Sequence, residues 1–187
     1  MIDRQRIESL VREPITVVPY DPVWPDRYLD LESLLKRSLP QGLWTRIAHI
    51  GSTAVPGMSA KPIIDVQVEV TSLDRVRREV VPIMSDLGFE YIWRPTMGEN
   101  APFYAWFIGR NGRRERTAHI HMVEPDAASA DRIIFRDFLR AHPEEAVRYE
   151  QLKAQLLETH ANDRAAYTLG KTAFINSILD QARPPRP

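Results

Sequence analysis

The segment Pro62-Ile-Ile-Asp-Val-Gln-Val-Glu-Val70 constrains the fold more than any other stretch. Side chains of an extended strand point alternately to opposite faces. Ile64, Val66, Val68 and Val70 therefore share one face, and Asp65, Gln67 and Glu69 share the other. The first face is expected in a core. The second carries ionisable groups, so Asp65 should open onto a cleft.

The flanking sequence supplies the rest of a mixed sheet. Leu43–Ile50, Phe89–Trp93, Phe103–Ile108 and Arg116–Val123 read as strands, and the last two form a hairpin through Asn111-Gly112. Ile15–Val18 reads as a further short strand. Residues 1–14 read as a short charged helix. Pro22–Leu39 has apolar residues at helical spacing, with Asp21 as cap and Pro22 in the first turn. Asp74–Leu87 is expected to be helical through Val76, Val80, Ile83 and Leu87. Beyond Pro125 come three helical stretches, Asp131–Ala141, Glu144–His160 and Asp163–Ala182, and then a frayed tail over 183–187. The fold class is α/β of the α+β type, a mixed sheet with a C-terminal helical cluster. A single domain is expected over 1–187, with the sheet core at about 15–125 and the helices at about 127–182.

Composition excludes several chemistries. The 187 residues include no cysteine, so disulfides, thiolate-held metals and thiol nucleophiles are absent. Twenty-five basic residues balance 25 acidic ones. A global positive field is therefore missing, and nucleic acid is not the expected partner. No apolar run reaches the length of a membrane span, and the N-terminal residues lack a secretory h-region. A cytoplasmic protein is expected. Arginine dominates the basic residues, with lysine only at 36, 61, 153 and 171.

Chemistry concentrates in His49-Ile-Gly-Ser-Thr-Ala-Val-Pro-Gly-Met-Ser-Ala-Lys-Pro-Ile-Ile-Asp65. Gly51 allows close approach of a ligand to the backbone. Ser52 and Thr53 offer hydroxyls and N–H groups suited to phosphate oxygens. Lys61 borders the same place, and Asp65 can hold a divalent metal. Further along, His119 and His121 alternate with Ile120 and Met122, which puts both imidazoles on one face. They could serve as general base, as phosphate donors, as a transition-metal pair with Asp65, or as half-buried structural histidines. Tyr149 and Lys153, like Tyr167 and Lys171, stand four apart on one helix face. Lys153, Tyr167 and Lys171 could form a phosphate-contacting lid. Arg110, Arg113, Arg114 and Arg116 cluster at the hairpin and read as a solvated tip. Trp93, Tyr104 and Trp106 read as sheet-face packing.

His49-Ile-Gly-Ser-Thr-Ala-Val-Pro-Gly followed by Ala60-Lys-Pro-Ile-Ile-Asp65 closely resembles the GrpB family. The resemblance extends to Val18-Pro-Tyr-Asp-Pro-Val-Trp24, the histidine pair, and Phe135-Arg-Asp-Phe-Leu-Arg-Ala-His-Pro143. It implies the fold of polymerase-β-like nucleotidyltransferases, which pair a Gly-Ser with Asp-x-Asp on a strand and a third acid on a neighbouring strand. Gly51, Ser52 and Asp65 match that pattern. Position 67 is Gln, which offers a neutral oxygen to a metal where the pattern has a carboxylate. Glu69 lies about 13 Å from Asp65 along the strand and is too distant to substitute. The resemblance implies an Mg²⁺-dependent nucleotidyltransferase taking a nucleoside triphosphate, or another phosphorylated small molecule, and a small acceptor. The alternative is a non-catalytic module for a nucleotide or a coenzyme-A-like ligand, which some relatives fused to dephospho-CoA kinase suggest.

Overall fold

A computed structural model describes residues 4–95 and 103–183. A five-stranded mixed sheet has the order β1-β2-β5-β4-β3. Its strands are β1 (Trp44–Ile50), β2 (Ile64–Val70), β3 (Glu90–Pro95), β4 (Phe103–Arg110) and β5 (Arg116–Val123). Pairing is antiparallel except between β2 and β5, which run parallel. The chain leaves β2, crosses to the far edge for β3, and returns through β4 to set β5 beside β2.

One face of the sheet carries the main core. Ile64, Val66, Val68 and Val70 of β2 meet Ile120 and Met122 of β5 and Ala105 and Phe107 of β4 there. Helix α2 (Trp24–Ser38) covers this face with Trp24 and Leu35. The helical segment α3 (Leu73–Arg75), a π-helical turn (Val76–Val80) and α4 (Val81–Asp86) add Val76, Val80 and Met84. The wider turn shifts the apolar stripe by one residue. Met84 is buried, whereas Leu87, expected in the stripe, is 41% exposed.

The other face carries Asp65, Gln67, His119 and His121. Over it lie α1 (Arg4–Val11) and the C-terminal helices α5 (Ala127–Ala141), α6 (Pro143–His160), α7 (Arg164–Leu169) and α8 (Thr172–Ala182). Leu10 of α1 packs with Tyr104, Trp106 and Ile108, while Ile133 of α5 packs with Ala48 and Ile50.

Several boundaries differ from expectation, each for a local reason. Helix α2 starts at Trp24 with Pro25 in its first turn, because the Asp21 carboxylate accepts the Val23 N–H at 3.0 Å in a turn that precedes the helix. Ile15–Val18 forms only one bridge, Val18 to Ala60. Helix α5 begins four residues early, because Asp126 and Ser129 make a reciprocal capping box. Asp163–Ala182 is two helices, divided at Gly170-Lys171. A Cβ on Gly170 would lie 2.4 Å from Leu156 Cδ2, so this glycine lets the break pack closely on α6. At the hairpin, Arg114 rather than Gly112 takes the left-handed conformation, with φ of 64°. The Asn111 side chain organises that loop by accepting the N–H groups of Arg113 and Glu115. Of the expected tail, 184–187 lie outside the described residues. No helix among the described residues is long and apolar enough to cross a membrane.

Leu35 and Leu29 share α2 but are 0% and 52% exposed. Leu35→Ala should cost about 2–5 kcal/mol in urea unfolding, and Leu29→Ala less than about 0.5 kcal/mol. Similar costs would contradict the helix orientation.

Candidate functional site

Strand β1 ends at Ile50, which pairs with Asp65. Gly51 follows with φ of 72°, and a Cβ there would stand 2.7 Å from Asp65 Oδ2. Left-handed backbone and contact with the carboxylate both demand glycine at this position. Ser52–Ala54 then make one 3₁₀ turn. Thr53 is buried, and its hydroxyl donates to the Ile63 carbonyl at 3.3 Å while meeting His49 Nε2 at 3.0 Å. The hydroxyl expected to face phosphate thus ties the turn to the strand. His49 stacks on Tyr28 at 4.7 Å, and burial pushes its pKa down to about 4. Its ring is neutral at pH 7.

A cavity of about 230 Å³ lies between this turn and the C-terminal helices. Gly51, Ser52, Thr53, Lys61, Asp65, Lys153, Tyr167 and Lys171 all line it. The sequence read these eight as phosphate- or metal-contacting, and the fold brings them together from five elements or loops. Tyr149 also lines it. Arg132 and Arg136 of α5 join the lining and were assigned no role in the sequence. Their spacing of four on one helix face, beside Phe135 and Leu139, was the available signal.

Each of the three lysines has partners within the protein. Lys153 is buried; its ammonium donates to the Ser59 carbonyl at 2.5 Å and to Ser52 Oγ at 3.3 Å. Lys61 and Lys171 both stand over the Tyr167 ring, at 5.7 and 4.9 Å from its centre. Burial, and then the Lys171 charge, push Lys61 down to about 7. Burial pushes Lys153 down to about 8. Burial also lowers Lys171, against the pull of Asp65. Five cationic side chains, Lys61, Arg132, Arg136, Lys153 and Lys171, share the lining with Asp65, the one acidic residue there among the described residues.

His119, His121 and Gln67 lie outside this lining, on the sheet beside Asp65. Parallel register sets Asp65 opposite His119 and Gln67 opposite His121. His119 Nδ1 is 3.0 Å from Asp65 Oδ1, and His121 Nε2 is 3.7 Å from the same oxygen. Burial alone would raise the Asp65 pKa, but the two imidazoles overcome it and hold the carboxyl well below its usual range. Burial pushes His119 down to about 4, so a neutral ring donates its Nδ1–H to a charged Asp65. Arg116 Nη1 approaches the other ring nitrogen at 3.5 Å. Read as part of a solvated tip, Arg116 is instead buried. It pairs with Glu13 at 2.6 Å and donates to the Leu10 carbonyl at 2.7 Å. Arg110 pairs with Glu13 as well.

Gln67 is fully engaged. Its amide donates to the Ser129 carbonyl at 3.0 Å, and its oxygen accepts from Arg132 at 3.1 Å. The oxygen expected to face a metal therefore faces a guanidinium. A pair of Mg²⁺ ions requires oxygen ligands, mostly carboxylates, on a shared centre. Asp65 with two imidazoles and Arg132 beside it does not fit that pair.

A family model described as GrpB protein matches residues 14–181. A UPF0157 protein of Pseudomonas aeruginosa is 36% identical over 182 residues, covering 96% of this chain and 72% of that protein. The Bacillus subtilis protein YqkA is 31% identical, and the chain spans 48% of its length. A dephospho-CoA kinase of Mycobacterium bovis is 39% identical over 194 residues, covering 93% of this chain and 47% of that protein. The crystal structure of GrpB from Enterococcus faecalis superposes with a TM-score of 0.73 at 32% identity, covering 89% of this chain and 96% of that one. A chain of the GLD-2/RNP-8 complex shares the fold alone, with a TM-score of 0.50 at 15% identity. By sequence along most of its length and by fold, the chain belongs to the GrpB family.

Proposed function

We propose that the cavity binds the phosphate groups of a nucleoside triphosphate or similar phosphorylated small molecule, for transfer of a nucleotidyl group to a small acceptor. The convergence of five cations and the Ser52 hydroxyl around one carboxylate carries this reading. Repulsion among the clustered cations is relieved when a polyanion enters, and fixed donors cost no reorganisation as charge develops on a leaving pyrophosphate. The cavity volume of about 230 Å³ is below the ~300–1,000 Å³ of drug-sized pockets. It suits the phosphate chain, with the nucleoside at the mouth. Asp65 stays charged among the cations, and its field favours the protonated forms of Lys61 and Lys171. The donor set of Asp65, His119 and His121 does not fit an Mg²⁺ pair.

A second reading is a non-catalytic module for a nucleotide or a coenzyme-A-like ligand. The Gln67–Arg132 contact favours it, because a guanidinium takes the oxygen at the position where the nucleotidyltransferase pattern has its second carboxylate. The name of the mycobacterial relative, dephospho-CoA kinase, adds coenzyme-A-like compounds to the ligands worth testing.

Calorimetric titration with ATP and with inorganic tripolyphosphate should show binding of both. Lys171→Ala should weaken each about tenfold or more, since a charge-assisted contact contributes about 1.5–3 kcal/mol. Unchanged affinity in a folded Lys171→Ala protein would overturn the phosphate reading. Release of pyrophosphate from ATP separates the two readings: turnover supports transfer, and tight binding without turnover supports the module.

Affinity for tripolyphosphate should fall as pH rises from 6 to 9. Lys61 near 7 and Lys153 near 8 lose their protons across that window, and the protonated forms attract the anion. Binding within the window should accordingly take up protons, read from titrations in buffers of different ionisation enthalpy. Affinity that rises with pH would contradict these assignments.

A further inference from the structure

We infer that Asp65, His119 and His121 form a site for one first-row transition-metal ion, rather than for Mg²⁺. The three donors come from two adjacent parallel strands. Asp65 and His119 are direct register partners, and His121 lies two residues further on the same face. Their ligand atoms lie within 4.8 Å of one another, with the two nitrogens 3.0 and 3.7 Å from Asp65 Oδ1. Donors about 2.0–2.2 Å from a common ion are separated by about 3–4 Å, so small side-chain adjustments suffice.

The donor chemistry selects the ion. Two imidazoles and one carboxylate are ligands for zinc, cobalt, manganese or iron. Mg²⁺ requires oxygen donors and retains its waters. The surroundings reinforce this choice. Arg116 and Lys61 lie close enough to act on His119, and both oppose a cation held by charge alone. Direct bonds to imidazole nitrogen can overcome that field; a single carboxylate holding a hydrated ion does not. There is a cost in tautomer. An ion on His119 Nδ1 moves the ring proton to Nε2, 3.5 Å from the Arg116 guanidinium. Three protein donors leave coordination positions open, and Asp65 also lines the cavity, so the ion would lie at the cavity floor.

This inference goes beyond the phosphate reading and does not require it, so its test omits nucleotide. Chelator-treated protein is titrated with Co²⁺, followed by visible absorption, and with Zn²⁺ and Mg²⁺ by calorimetry. One equivalent of Co²⁺ and of Zn²⁺ should bind, each at least about 100-fold tighter than Mg²⁺. His121→Ala and Asp65→Asn should each weaken Co²⁺ binding about tenfold or more, with unchanged circular dichroism. The wild-type protein supplies a readout free of folding artefacts. Co²⁺ should displace the ring NMR signals of His119 and His121 while leaving His142 and His160 in place. Absence of stoichiometric Co²⁺ binding, or ring shifts confined to other histidines, would overturn the site. Tripolyphosphate binding would survive that failure and remains a separate result.

Discussion

Parallel pairing of β2 with β5 is the constraint on which the rest of the site depends. It sets Asp65 beside His119 and Gln67 beside His121, on the face opposite the main core. The core side requires only apolar residues at alternate positions, and this requirement fixes where every polar side chain of the two strands must point. Antiparallel pairing of β1 then brings Ile50 opposite Asp65, so Gly51 and the 3₁₀ turn start against the carboxylate. A slip of one residue along β2 would turn Asp65 into the core. The strand that stabilises the fold therefore also locates the site.

The cationic wall has a different origin. Lys61 comes from the loop after that turn, Arg132, Arg136 and Lys153 come from α5 and α6, and Lys171 comes from the break between α7 and α8. Keeping lysines from water is unfavourable, and burial lowers the pKa of each of the three. Tyr149 and Tyr167 offset part of that cost through their ring faces, and Ser59 and Ser52 offset part for Lys153 through hydrogen bonds. Arg132, Arg136 and Lys153 hold Gln67, the His49 carbonyl and the Ser59 carbonyl, but these bonds do not neutralise so many like charges gathered at one cavity. An anionic ligand is the simplest physical reason for this concentration of like charge.

Much of this was legible in the sequence because it rests on short-range rules. Alternation in β2 gave the buried face, and the same rule put His119 and His121 together. The Gly51-Ser52 turn and Asp65 were recognisable by spacing. What was missed depends on tertiary contact. Thr53 was read as facing ligand, yet its hydroxyl is taken by Ile63 and His49, a pairing made only after β1 and β2 align. Gln67 was read as a neutral metal oxygen, but α5 lies over it and brings Arg132 to that atom. Arg116 reads as solvated until α1 returns with Glu13. The break at Gly170 is set by Leu156 on another helix.

The most direct test of the central claim is a crystal structure of the protein soaked in inorganic tripolyphosphate. Density for the polyanion should lie within hydrogen-bond distance of Lys61, Lys153 and Lys171, beside Ser52. A cavity without polyanion density in crystals diffracting to high resolution, or density lying only on the exposed arginines of the hairpin, would contradict the account.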